Sequence, residues 1–299
     1  MLPGLLFISA LACGTPKQSA SSALEENQAV TPREFAPGVV STGHEFGISF
    51  TPDGMEAYFS RFAAKQPIHI FRTRFVNGSW QEPDKLSLSS EDWSDLDPFV
   101  SPDGKKLFFV STRSEDRSVD SRGKKNMDVW VAVRTGTEWS TPHRVENVNS
   151  SSKEGSPCVA QGGTLYFFSD REGGADKNAI YESRYVGGHY QMPVRLPSTI
   201  NAGPSDTSPF ISPDGKTLLF YSTRPGGMGK ADLYLSSRRH GNWTMSVNLG
   251  PVVNSAESEY NPSVSPDGRR FFFGRNSRIY VVPATAVPDL KPKLFHRSK

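Results

Sequence analysis

One unit written five times constrains this chain more than any other feature. Its clearest mark is a turn: Thr51-Pro-Asp-Gly54, Ser101-Pro-Asp-Gly104, Ser212-Pro-Asp-Gly215 and Ser265-Pro-Asp-Gly268, with the degenerate copy Ala160-Gln-Gly-Gly163 filling the gap. Successive copies lie about 50 to 59 residues apart, the period of propellers and solenoids. After each turn an aromatic-rich apolar run ends in a small residue and then arginine, as in Ala57-Tyr-Phe-Ser-Arg61 and Leu218-Leu-Phe-Tyr-Ser-Thr-Arg224. Runs of this kind, bounded by turns, read as strands buried on both faces. A third strand follows (Asp128-Val-Trp-Val131, Asp232-Leu-Tyr-Leu235), then a Gly turn and a fourth strand (Gly136-Thr-Glu-Trp139, Gly241-Asn-Trp243). No stretch carries helical periodicity. The pattern predicts an all-β fold, a five-bladed β-propeller of four-stranded antiparallel blades.

The fifth copy stops after its third strand, at Val282-Pro283, and a fourth-strand pattern appears instead at Phe35-Ala-Pro-Gly-Val-Val40. Residues 32–42 are therefore expected to supply the outer strand of the last blade and close the ring. An open ring would leave strand edges in water. Ahead of it, the apolar run Leu5–Ala12 ends at Cys13, with Ala10 and Ala12 at −3 and −1, the spacing of a signal-peptidase site. Cysteine at this point resembles the bacterial lipobox, which implies acylation of Cys13; simple secretion is the alternative. Thr15 to Thr31 has the composition of a disordered tether. The expected organisation is a signal peptide over 1–12, a lipid-anchored or disordered linker over 13–31, the propeller over 32–283 and a tail over 284–299.

The 34 Lys+Arg against 31 Asp+Glu leave no basic stripe for nucleic acid. Two cysteines exclude a disulfide framework and cysteine-built zinc sites. No motif calls for a cofactor or a metal. Gly226-Gly-Met-Gly-Lys230 lacks the spacing and the Ser or Thr of a phosphate loop. With no stretch of apolar residues long enough to span a bilayer, membrane contact is expected only through a lipid on Cys13.

The repeat E/D-x-x-P-x-V-S-P-D-G-x-x-L-x-F-x-S-x-R…D-L-Y resembles the WD-like repeat of bacterial TolB-type propellers across residues 32–283. The resemblance implies an envelope protein, periplasmic or outer-membrane anchored, that works by contacts with other proteins. TolB carries six blades and a further α/β domain, so its particular partners are not carried over to a five-copy ring. Five-bladed rings also include glycosidases such as the arabinanases, which use carboxylates from different blades.

Candidate contact residues fall on one rim. A carboxylate stands just before each first strand: Glu45, Asp95, Glu154, Asp206 and Glu259. First strands line a propeller axis, so these acids are expected to circle the channel mouth. Arg61, Arg113, Arg171, Arg224 and Arg275 end the second strands on the same rim. Five acids beside five arginines form either structural ion pairs or a polar funnel for a cation, a sugar or a peptide end. Asp97 is the one extra acid that breaks the symmetry, and nearby Trp93 has a face for stacking on a sugar. The long charged loop over 114–125 is a further contact candidate. The reading is a non-catalytic binding propeller contacting an envelope protein through this rim. The alternative is a sugar-binding or glycoside-cleaving ring using Glu45, Asp95 and Glu154, and a divalent-cation site at the mouth is a third option. Repetition of the acid in all five blades argues against catalysis, which needs carboxylates in distinct environments.

Overall fold

The computed structural model describes residues 30–113, 126–172 and 177–290. Five antiparallel sheets follow one another along the chain. Blade 1 runs Glu45–Phe50, Glu56–Arg61, His69–Val76, with an outer strand in two short pieces, Ser79–Trp80 and Asp84–Lys85. Blades 2 and 4 repeat this plan from Asp95–Val100 and Asp206–Ile211. In blade 3, which begins with Glu154–Val159, the hairpin Tyr185–Val186/His189–Tyr190 stands as a separate two-stranded sheet. The five first strands contact their neighbours in sequence, and Tyr260–Val264 of blade 5 contacts Glu45–Phe50, so the ring is closed around these strands. Among the described residues the only helix is the 3-10 turn Ala284–Ala286.

Closure comes from the N-terminal segment, as the missing fourth strand of the last copy requires. Arg33–Glu34 pairs antiparallel with Tyr280 and Val281 in the outermost position of blade 5. The paired stretch is shorter than residues 32–42: the Phe35 N–H still donates to the Ile279 carbonyl at 2.8 Å, and Ala36 to Ser41 then leave the ladder as a wedge between blades 5 and 1. Phe35 meets Phe50, Trp80 and Phe272 edge-on there, and the Ser41 hydroxyl donates to the Ile279 carbonyl at 3.0 Å. Pairing the last blade with the first segment of the domain means neither end is left as an open edge.

The core is divided among five inter-blade clusters. Leu107, Phe109 and Trp130 of blade 2 pack on Tyr58 and Ile70 of blade 1, and equivalent layers fill the other four joints. Second strands such as Leu107-Phe108-Phe109-Val110 alternate between the two neighbouring joints, which is why they read as unbroken apolar runs. Ala284, Val287 and Leu290, past the last strand, are buried against blades 4 and 5. The Ser/Thr-Pro-Asp-Gly turns do the local work their composition implies. Asp53, Asp103, Asp214 and Asp267 each accept from the Ser/Thr hydroxyl two residues earlier and from the backbone N–H two residues later. The following glycines take φ between +67° and +74°.

Candidate functional site

Each acid that opens a first strand is sealed by an arginine of its own blade. All five carboxylate side chains have no exposed surface. The guanidinium groups lie 2.8 Å (Arg61–Glu45), 2.8 Å (Arg113–Asp95), 2.9 Å (Arg171–Glu154), 3.0 Å (Arg224–Asp206) and 2.7 Å (Arg275–Glu259) away. The same arginines donate back to the connector from the preceding blade, at the carbonyls of Val39, Leu88, Val148, Ile200 and Val253. Each also covers aromatic rings of the second and third strands, for example Phe220 and Tyr234 beneath Arg224. One side chain thus ties an inner strand, an inter-blade connector and the blade face together. The acids stand at the start of the inner strands and are fully buried, so they do not open into a channel mouth. Each carboxylate accepts from its arginine, and Asp206 from the Gly203 N–H as well.

Two geometries achieve the pairing. In blade 1 Glu45 stands directly opposite Arg61, and in blade 5 Tyr260 stands opposite Gly274, just before Arg275. There the arginine Nε bonds the carboxylate. In blades 2, 3 and 4 the acid stands opposite Ser111, Ser169 or Ser222, and one residue intervenes before the arginine. Nε then donates to that serine and Nη2 reaches the carboxylate. Glu45 also accepts from the Thr42 hydroxyl and the backbone N–H groups of Thr42, Gly43 and His44. Burial pushes its carboxyl up, but these donors and Arg61 outweigh burial and hold it below the ordinary range.

Two residues further along each inner strand lies a second ring, which sequence reading found only at Asp97. The residues are Gly47, Asp97, Ser156, Ser208 and Asn261, all in the left-handed region with φ from +46° to +60°. The strand ladder breaks at this point in every blade. The five line a small cavity of about 40 Å³ on the axis, floored by Phe99 and Phe210. Ser156 Oγ donates to Asp97 Oδ2 at 2.7 Å, and Asn261 Nδ2 donates to Oδ1 at 3.2 Å. The Asp97 N–H donates to Ser60 Oγ at 2.9 Å. Asp97 forms no salt bridge among the described residues. Burial therefore raises its carboxyl pKa, although hydrogen bonds from Ser156 and Asn261 oppose the shift. A signal for this ring was present in the sequence as the second residue after each acid, but its five side chains share no single chemistry.

Trp93 lies apart from the axis. Its ring is 5.1 Å from the Arg113 guanidinium. With Leu88, Trp130, Trp139 and Pro142 it lines an open groove of about 530 Å³ between blades 1 and 2. The structure thus unites Trp93 with Arg113 but not with Asp97. Cys13 and the 114–125 loop fall outside the described residues. Among the described residues no group of three or more His, Cys, Asp or Glu converges to hold a metal, and no helix is long and apolar enough to cross a membrane.

No protein-family model matches the chain, and no curated protein matches it. Solved structures do. TolB from Acinetobacter baumannii superposes with a TM-score of 0.50 at 17% identity, over 80% of this chain and 54% of that one. A putative TolB from Agrobacterium tumefaciens gives 0.51 at 18%, over 77% and 69%. These likenesses show a β-propeller fold. This chain spans about half the length of the Acinetobacter TolB. An endo-arabinase from Bacteroides thetaiotaomicron gives 0.54 at 14%, over 82% and 96%. At such identities the likeness establishes the architecture of the blades.

Proposed function

We propose that this TolB-type ring is a non-catalytic binding propeller of the bacterial envelope, contacting a protein partner through the rim of the acid–arginine pairs and the 114–125 loop. The observation that carries the reading is the fate of the five acids. Glycoside cleavage needs two carboxylates free to act as acid and base or nucleophile, about 5 to 9.5 Å apart. Glu45, Asp95 and Glu154 are each committed to an arginine instead. Asp97, two residues inside, lines the axial cavity with uncharged residues around it. Stiffening a rim with buried pairs suits a preformed contact surface, which loses little entropy on docking. The envelope address rests on the apolar run before Cys13 and on the resemblance of the repeats to TolB-type propellers.

A second reading keeps a sugar as ligand. It is favoured by the Trp93–Arg113 groove, whose size suits one or two sugar rings. Cross-linking residues 14–299 to a detergent extract of the native envelope separates the two. A protein captured by the full chain and lost when 114–125 is shortened supports the contact rim. Retention of polysaccharide, abolished by Trp93→Ala, supports the sugar.

A further inference from the structure

The opposite rim carries four near-identical turns and one that has lost its proline and aspartate, and a groove opens beside the exception. Ala160-Gln-Gly-Gly163 leaves a cavity of about 500 Å³ between blades 2 and 3, bordered by Asp103, Lys106, Gln161, Gly162, Tyr185 and Tyr190. Its inner end runs into an apolar depression of about 70 Å³ over the axis, lined by Phe50, Phe99, Phe210 and the turn prolines. Ser101, Pro102 and Val159 line both. Glycine where a turn would carry side chains lets another backbone come close. A Cβ added at Gly162 meets nothing within 4 Å.

The charges of this rim point to the sign of the occupant. Lys105, Lys216 and Arg269 each follow a turn glycine, and Lys106 and Arg270 stand beside two of them. None of the five forms a salt bridge among the described residues. The turn aspartates, Asp103 included, are held by hydroxyl and backbone donors of their own turns, and the neighbouring cations only add a weaker attraction, Lys105 and Lys106 on Asp103 and Arg269 and Arg270 on Asp267. The Lys106 ammonium lies 5.0 Å from the centre of the Tyr185 ring, and Tyr185 is 39% exposed. A cation held over an aromatic face at a groove wall is placed to meet a carboxylate.

We propose that this groove takes an extended acidic segment of a protein partner. The segment seats an apolar side chain in the axial depression over Phe99 and Phe210 and sets a carboxylate against Lys106. This surface lies on the rim opposite the acid–arginine pairs and does not depend on the contact assigned there.

The test uses residues 14–299 and a panel of fluorescein-labelled hexapeptides with Leu or Phe at the second position and either Asp or Asn at the fourth, read by fluorescence anisotropy. The expected result is tighter binding of the Asp peptides, weakening as salt rises. Lys106→Gln is expected to lower the affinity of Asp peptides about fivefold or more, on the order of 1 kcal/mol, and to leave Asn peptides unchanged. Gly162→Phe, placed in open space, is expected to abolish binding without changing the melting temperature. The proposal is overturned if no peptide binds, if both variants bind as the parent does, or if oligosaccharides occupy the groove and compete the peptides away. Should Lys106→Gln fold poorly, Gly162→Phe alone decides the outcome.

Discussion

Asp95 and Asp97 stand two residues apart on one strand and meet opposite fates. Asp95 belongs to a ring in which every blade supplies an acid and an arginine, and its carboxylate is gripped at 2.8 Å through both oxygens. Asp97 belongs to a ring in which the other blades supply Gly47, Ser156, Ser208 and Asn261, so its charge meets only neutral partners. The difference teaches that a residue type repeated around the ring serves the joint between blades. A residue that breaks the repeat meets uncharged side chains of other blades at the axis, here Ser156 and Asn261 on Asp97.

Removing one half of a sealed pair is the hardest blow to this contrast. Asp95→Ala leaves Arg113 buried without its carboxylate and is expected to cost about 3–5 kcal/mol in denaturant unfolding. A loss below about 1 kcal/mol would sink the view that these pairs hold the blades together. Ser111→Ala comes next. It deprives the Arg113 N–H and Nε of their acceptor in the three-blade geometry, at about 1–3 kcal/mol. The equivalent small-residue change in blade 1, Ser60→Ala, leaves the Arg61–Glu45 bond intact and is expected to cost less, because Ser60 serves the Asp97 N–H instead. Comparing the two melting temperatures tests whether the register difference matters.

The pH dependence has smaller effects and separates Asp97 from Glu45 rather than from Asp95, whose carboxyl burial also raises despite Arg113. Because the Asp97 carboxyl is raised in the folded chain, the native state binds a proton more readily than the unfolded one. Stability is therefore expected to fall as pH rises from the ordinary Asp value, about 3.9, through the raised folded value. Asp97→Asn is expected to lessen that decline, the remainder coming from Asp95 and Glu154, whose carboxyls burial also raises, and to melt higher than the parent near pH 7; an unchanged pH profile would show that Asp97 finds a counter-charge. Glu45 is lowered, so it contributes stability above its unfolded value, about 4.3, which is lost as pH falls through the depressed folded value. Glu45→Gln is expected to flatten the acid limb of the stability curve.

Much of the fold was legible because each blade is a local unit. Turn chemistry at Ser101-Pro-Asp-Gly104, the apolar run behind it and the small residue before arginine are all set within some fifteen residues of chain. The ring closure was legible from a missing fourth strand, although Ala36 to Ser41 form a wedge rather than more ladder. Asn149, Asn201 and Asn254 form a further repeat. Each clamps the third strand of the preceding blade by accepting from and donating to one residue, Val129, Ile180 or Leu233. Their repeated places in Val148-Asn149, Ile200-Asn201 and Val253-Asn254 were visible, but their partners lie about twenty residues back and only pairing reveals them.

The sequence by itself determined the number of blades, the turns, and that five acids and five arginines share a rim, since these follow from period and local turn chemistry. Which way those acids face was decided by tertiary structure alone. A carboxylate is open or sealed according to where the arginine of the next strand and the connector of the previous blade come to rest. The same holds for the axial ring around Asp97 and for the groove at Gly162. Both are spaces between blades, and a space is set by the packing of several distant segments rather than by any one of them.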